Sequence, residues 1–201
     1  WIGGVNFHDK NFKAIDIMVK ITEKDIVDTI TKLYEKIDED RLLHNFMHTS
    51  DDNNKLLVDA GMRPISIILD TAVSMVNHAE KSVKATSAFV PDGRFLKALY
   101  RAVKRGVAVQ VITNNPAILS GVYNIVNIGS QMGIVLKRQN IPITYLDTLI
   151  HAKTLVVDEK LALVGSHNFS SKGVTMKTGE VALLSRDRTL VKNILSFIES
   201  I

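Results

Sequence analysis

The 201-residue chain has no cysteine, four prolines, one tryptophan and only 6% aromatic residues. Without cysteine there are no disulfides, no thiol nucleophile and no zinc–cysteine site, and both reducing and oxidising compartments stay open. No uncharged apolar run approaches the roughly 18 residues of a membrane-spanning helix. No charged segment followed by an apolar one opens the chain, so no signal peptide is read there. The chain starts at Trp1 rather than Met, and the expectation is that upstream sequence has been removed. Proline and glycine are too sparse for a collagen-like or low-complexity chain. What is present is ordinary globular composition, 46% hydrophobic and 23% charged, enough for one large domain or two small ones. A net charge of +4 suits an anionic substrate or surface without specifying either.

Periodicity reads as alternating strands and helices. Residues 14–21 look like a strand, and 23–38 carry Ile26, Val27, Ile30, Leu33, Tyr34 and Ile37 at helical spacing. Residues 45–64 hold the polar cluster Thr49-Ser50-Asp51-Asp52-Asn53-Asn54, with Gly61 and Pro64, and are expected to be a linker with at most a short helical piece. An apolar run at 65–69 leads into a helix near 70–82. A strand at 83–90 stops at Pro91-Asp92-Gly93. The next helix turns Phe95, Leu96, Leu99, Ala102 and Val103 inward, leaves Lys97, Arg101, Lys104 and Arg105 as a solvated face, and closes at Gly106. Strands are expected at 107–113, 143–146, 150–157, 161–164 and 181–185, with helices at 117–138 and 187–200. The predicted fold class is α/β, a layered sheet with helices on both faces.

A repeat lies within this pattern. Ile2-Gly3-Gly4-Val5-Asn6-Phe7 aligns with Val164-Gly165-Ser166-His167-Asn168-Phe169, and after a two-residue gap Asp16 aligns with Glu180. The following helices align too, Ile26 with Leu190, Val27 with Val191 and Ile30 with Ile194. Two halves therefore end alike. Residues 1–44 are read as the tail of a first half, 45–64 as the linker and 65–201 as a complete second half.

The residues that bear chemistry cluster in the second half. His151 and Lys153 are two apart on an expected strand, so both face one way and can converge on one anion. The turn Gly165-Ser166-His167-Asn168 offers a close backbone approach, a hydroxyl and an amide for phosphate oxygens. Glu180 opens a strand that can lie beside His151, where a carboxylate would hold one ring nitrogen and leave the other free to react. Taken singly, each residue has a commoner structural explanation; the weight lies in their joint spacing. His44 and His48 lack the His-Glu-x-x-His metal pattern and are expected to be a surface helix pair, so no metal site is assigned.

His-x-Lys-x4-Asp, formed by His151, Lys153 and Asp158, followed by Gly-Ser-x-Asn and a later Glu, resembles the motif of the phospholipase D superfamily. Phe89-Val90-Pro91-Asp92, Ala98-Leu99 and Ala102 through Val109 resemble the approach segment of bacterial cardiolipin synthases and related phosphatidyl transferases. The resemblance covers residues 65–201 well and the first-half tail more weakly. It implies a bilobal fold, here with the first lobe truncated, in which two motifs meet at one pocket. One histidine would attack phosphorus to form a phosphohistidine, and the other would protonate the leaving alcohol, with no cofactor or metal. On that pattern the catalytic set is His151, Lys153, Glu180 and Asp158. His151 leans towards acid/base, Glu180 orients it, and Asp158 is expected to do structural work in the loop after the motif strand. Lys153, Ser166, Asn168 and Asn6 would bind substrate phosphate, and Asp16 would be the first half's orienting carboxylate, with Gly4 in place of its serine. The partner histidine is expected as far before Gly3 as His151 lies before Gly165, which is beyond Trp1. The expected partners are therefore a phospholipid or other phosphodiester, the upstream half or a second copy, and a peripheral membrane contact. A metal-independent endonuclease of the same superfamily and a non-catalytic remnant are the alternatives.

Overall fold

Leu56-Leu57-Val58, Leu155-Val156-Val157 and Ala162-Leu163-Val164 are each buried throughout. Strands with no solvent-facing side must be covered on both faces, and that requirement sets the architecture. The structure, a computed structural model, describes residues 1–5, 13–37, 44–61, 65–119, 121–136, 140–170 and 178–201. In chain order the strands are β1 (Ile2–Gly3), β2 (Met18–Val19), β3 (Phe46–Thr49), β4 (Asn54–Asp59), β5 (Ser82–Ser87), β6 (Ala108–Asn114), β7 (Ile143–Leu146), β8 (Thr154–Val157), β9 (Leu161–Gly165) and β10 (Glu180–Ser185). The helices are α1 (Lys24–Ile37), α2 (Ile67–Asn77), α3 (Gly93–Lys104), α4 (Val122–Leu136) and α5 (Arg188–Glu199), with a 3-10 turn at Pro116–Ile118.

Eight strands form one mixed sheet in the order β3-β4-β10-β9-β8-β5-β6-β7; β5, β6 and β7 run parallel and the other pairs antiparallel. Side chains alternate between two cores, as period-two geometry dictates. Leu57, Leu155, Leu163 and Ala182 join α2 and α3 on one face. Leu56, Val58, Val156, Val164 and Leu183 join α1 and α5 on the other. The α/β class with helices on both faces is therefore as expected.

Several local expectations change. The segment expected as a linker is a β-hairpin. Its polar cluster is only the turn, where Asp51 Oδ1 accepts from the amides of Asn53 (2.8 Å) and Asn54 (2.6 Å). The flanking residues pair as β3 and β4, and β4 lies next to β10 inside the sheet. His48 consequently sits on a strand and its Nε2 meets Asp25 at 3.0 Å, so the pair with His44 is not helical. Strand 14–21 shrinks to β2 plus a parallel bridge from Ile15 to Ile150, and 150–153 precede β8 instead of extending it. Helix 70–82 starts earlier because Ser66 caps it, accepting from Leu69 N at 3.0 Å. Helix 117–138 divides into the 3-10 turn and α4. On α1, Val27 is 41% exposed, and among the described side chains Ile26 alone is fully buried. The basic face of α3 is partly engaged: Arg105 Nη2 donates to the carbonyls of Val76 (2.9 Å) and Ala79 (3.1 Å) at the end of α2.

The repeat is visible in the strand register. β1 pairs with β2 as Ile2↔Val19 and Gly3↔Met18, and β9 pairs with β10 as Val164↔Leu183 and Gly165↔Ala182. These are the same pairs in the repeat alignment, gap included. The glycine recurs because the next strand crosses so closely. A Cβ on Gly3 would lie 2.2 Å from Ile17 O, and one on Gly165 2.3 Å from Val181 O. The first-half tail is not a separate body: Ile2 and Ile26 are buried in the same core as Val164 and Val191.

Candidate active site

The ends of β5, β6 and β9 and the starts of β8 and β10 meet at one end of the sheet. The motif segment enters there beside the first-half tail. Ile15 N donates to Leu149 O (2.8 Å), and the amides of His151 (2.8 Å) and Ala152 (3.2 Å) donate to Ile15 O. A parallel neighbour at Ile15 puts the next residue, Asp16, level with His151. Asp16 Oδ2 lies 2.9 Å from His151 Nδ1, with the carboxylate side chain 7% and the imidazole 20% exposed. The bond assigns the proton to Nδ1 and leaves Nε2 free for chemistry.

This corrects the expected pairing. Glu180 does not reach His151, because β9 separates β10 from β8. Its carboxylate instead accepts from the Ser166 hydroxyl and from Thr178 Oγ1 at 3.0 Å. Asp16 and Glu180 are repeat equivalents, and the carboxylate that holds His151 comes from the other copy of the repeat.

Lys153 is only 2% exposed and its Nζ donates to the His151 carbonyl. Burial pushes its ammonium down to about 8, against Asp16 and Glu180, both of which favour the charged form. Both equivalent carboxylates thus act on this one cation. Gly4 borders the same spot. A Cβ there would lie 2.9 Å from both Asp16 Oδ1 and His151 O, so a serine like Ser166 has no room, which explains the departure from the repeat.

The Gly-Ser-His-Asn turn is anchored from behind. Phe169, buried and at φ 41°, stacks on Phe95 of α3 with centroids 5.2 Å apart. Ser87 Oγ donates to Asn168 O at 3.0 Å. Asn168 Oδ1 is buried with no protein partner. His167 Nδ1 accepts from Phe169 N at 3.0 Å, and burial holds that imidazole below the ordinary histidine range against the pull of Glu180 and Asp59.

Asp158, expected to do structural work, stands apart from this cluster. It occupies the β8–β9 turn, where Asp158 and Glu159 both have positive φ. Its carboxylate accepts from the amides of Lys81 (2.7 Å), Ser82 (2.9 Å) and Glu80 (3.0 Å). Burial raises its pKa, but those amides and Lys160 outweigh burial and hold it below the usual carboxylate range. Its work is to tie that turn to the start of β5. Asn6 lies outside the described residues. Among the described residues no group of three or more histidine, aspartate or glutamate side chains is placed to hold a metal.

Asn114 escaped the sequence reading. This buried residue ends β6 and grips Ile150 on both sides: Ile150 N donates to its Oδ1 (2.7 Å), and its Nδ2 donates to Ile150 O (2.8 Å) and Ala88 O (2.8 Å). It replaces a strand neighbour for the residue before His151. The signal in the sequence was Thr113-Asn114-Asn115-Pro116, polar residues where the strand's apolar run stops.

The family model described as "Cardiolipin synthase, PLD-like domain" matches residues 72–201. The chain belongs to the phospholipase D superfamily. It is 31% identical over 125 residues to the major cardiolipin synthase ClsA of Bacillus subtilis strain 168, covering 62% of this chain and 25% of that protein. It is 29% identical over 130 residues to the cardiolipin synthase of Listeria welshimeri, covering 64% and 27% respectively. The matched stretch thus spans about a quarter of these relatives' length. In fold it is similar to Nuc of Salmonella typhimurium, a phospholipase D family member (TM-score 0.56, 21% identity, 73% of this chain and 93% of that one). NucT of Helicobacter pylori is similar to the same extent (TM-score 0.57, 20% identity, the same coverage).

Proposed function

We propose that this phospholipase D-like chain contributes one histidine–lysine set to a site that cleaves phosphodiesters through a phosphohistidine, acting on phospholipid by phosphatidyl transfer or headgroup hydrolysis. The observation that carries this reading is the His151–Asp16 bond, which joins the two repeats at the point where Lys153 is buried. By the same symmetry Glu180 is assigned to a second histidine on an equivalent His-x-Lys segment. That segment comes from a longer form of the polypeptide or from a second copy.

His151, holding its Nδ1 proton against Asp16, acts as the acid/base. The second histidine's Nε2 attacks phosphorus and forms the N–P bond as the P–O bond to the leaving alcohol breaks. His151 Nε2–H gives its proton to that oxygen. The acceptor, water or an alcohol, then returns a proton to His151 Nε2 as its oxygen displaces the imidazole and restores a phosphodiester or phosphomonoester. Lys153, Asn168 and Ser166 face the non-bridging oxygens, whose charge the ammonium balances best in the transition state. The sequence likeness to cardiolipin synthases and the modest net charge favour lipid over nucleic acid.

The test is turnover of phosphatidylglycerol vesicles in EDTA by the chain alone and joined to an upstream half bearing His-x-Lys. The expected result is an inactive isolated chain, activity in the joined protein and loss of that activity in His151→Ala. Loss in EDTA with rescue by a divalent ion would overturn the mechanism. DNA cleavage with no response to lipid would overturn the substrate, and robust turnover by a dimer of this chain alone would assign the second set to another copy.

A further inference from the structure

Helix α4 turns polar side chains to the protein and an apolar stripe to solvent. Asn124 Nδ2 donates to the carbonyls of Pro116 (2.9 Å) and Leu119 (3.2 Å), Asn127 Oδ1 accepts from Val90 N (2.6 Å), and Gln131 hydrogen-bonds Tyr145. Four apolar side chains turn outward, Ile125 at 72% exposed, Ile128 at 40%, Met132 at 54% and Val135 at 69%, while Ile134 is buried in the core. Spacings of three and four residues put these four on one stripe. Ordinary soluble helices do the reverse, because exposing a run of aliphatic side chains forgoes the largest favourable term in folding.

Charge narrows the occupant. From Val107 to Leu136 the chain carries no charged side chain, in a protein that is 23% charged overall. A protein partner is ordinarily met by a patch with aromatic and arginine anchors and a polar rim, burying about 800 Å² per side. This stripe has neither anchor and amounts to a few hundred Å². An uncharged aliphatic stripe held to the body by its polar side fits the interfacial zone of a bilayer.

Position gives the stripe a purpose. Asn127 is bonded to the segment that follows β5, and α4 follows β6 through the turn at Pro116–Ile118. The end of β6 is where Asn114 holds Ile150, the residue before His151. We propose that α4 is a bilayer-docking element that sinks Ile125, Ile128, Met132 and Val135 into a phospholipid surface and so holds the His151 end of the sheet at the membrane. The choice of bilayer rests on the phospholipid reading above.

The absence of cysteine makes a clean test available. An environment-sensitive fluorophore is attached to Ile125→Cys, or as a control to Lys192→Cys on the exposed side of α5, and mixed with vesicles of equal phosphatidylcholine and phosphatidylglycerol. The expected result is a blue shift at position 125, quenched by spin-labelled lipid, with no change at 192. The triple variant Ile128→Ser, Met132→Ser, Val135→Ser should bind vesicles at least about tenfold more weakly with unchanged circular dichroism, since none of these side chains enters the core. No shift at 125 with vesicles would overturn the proposal. So would a shift that appears without lipid and grows with protein concentration, because it gives the face to a second copy. Docking is read without turnover, so it can hold where the catalytic reading fails. Conversely, turnover of a water-soluble short-chain phospholipid with no docking would spare the catalytic reading and reject this one.

Discussion

Asp16 and His151 are hydrogen-bonded at 2.9 Å although they come from different copies of the repeat. The bond depends on Ile15 lying beside Ile150, so the segment around Asp16 helps build the candidate site. Asp16→Asn keeps a group that can bond Nδ1–H but removes the charge that stabilises an imidazolium. Turnover in the assembled enzyme should fall by roughly two to four orders of magnitude. The nitrogen signals of His151 should change from a single Nδ1–H tautomer to a mixture. Glu180→Gln should leave those signals unmoved. A change in the His151 tautomer with Glu180→Gln and none with Asp16→Asn would reverse the assignment.

Asn114 provides the second prediction. Asn114→Ala leaves the amide and carbonyl of Ile150 and the carbonyl of Ala88 without their partners at a position 1% exposed. Stranded buried groups cost more than the net worth of the bonds, so stability should drop by about 2–4 kcal/mol. Urea denaturation measures this. The His151 signals should shift in the same variant, because the residue before it has lost its clamp. Unchanged stability would mean that water replaces the amide without loss.

The third prediction separates Asp158 from the chemistry. Asp158→Ala removes the acceptor for three backbone amides, two of them at exposed residues that water can reach, so the loss should be about 1–2 kcal/mol. Turnover in the assembled enzyme at a temperature where the variant is folded should stay within about threefold of wild type, well inside the effects expected of acid/base residues. A thousandfold loss in a fully folded variant would return Asp158 to the catalytic set.

How much was legible follows from how local each feature is. The repeat was readable because Gly3 and Gly165 each meet the equivalent crossing strand of their own copy and nothing larger fits. The helices α1, α3 and α5 were readable from their spacing within a residue or two of their ends. The β3–β4 hairpin was missed because Asp51 through Asn54 dominate that stretch, while Leu56-Leu57-Val58 is buried on both sides and shows no alternation. The partner of His151 was missed for a longer-range reason. Sequence puts Glu180 nearer than Asp16, and only sheet order shows that β9 intervenes. Asn114 acts through backbone groups, and no side-chain motif announces such a role.

Lys153 carries the last prediction. Its ammonium titrates near 8 in the folded chain and near the ordinary 10.5 when unfolded. Between those values the unfolded chain binds more protons, so stability must rise with pH across that window. Below 8 both states are protonated and the fold bears the whole cost of the buried cation. Above 10.5 that cost has gone. The shift corresponds to a rise on the order of 3 kcal/mol across the window. Lys153→Met removes the titration, so its stability between pH 8 and 10.5 should rise less than that of wild type by about this amount. The comparison rests on slope because Met also takes from Asp16 and Glu180 the cation they favour, which offsets part of the gain at neutral pH. A phosphate in the site favours the charged ammonium again. Binding of inorganic phosphate near pH 9 should therefore take up a proton in wild type and not in Lys153→Met, as calorimetry in buffers of different ionisation enthalpy would show. Equal slopes in the two proteins, or equal proton uptake, would remove Lys153 from the role of buried phosphate-binding cation.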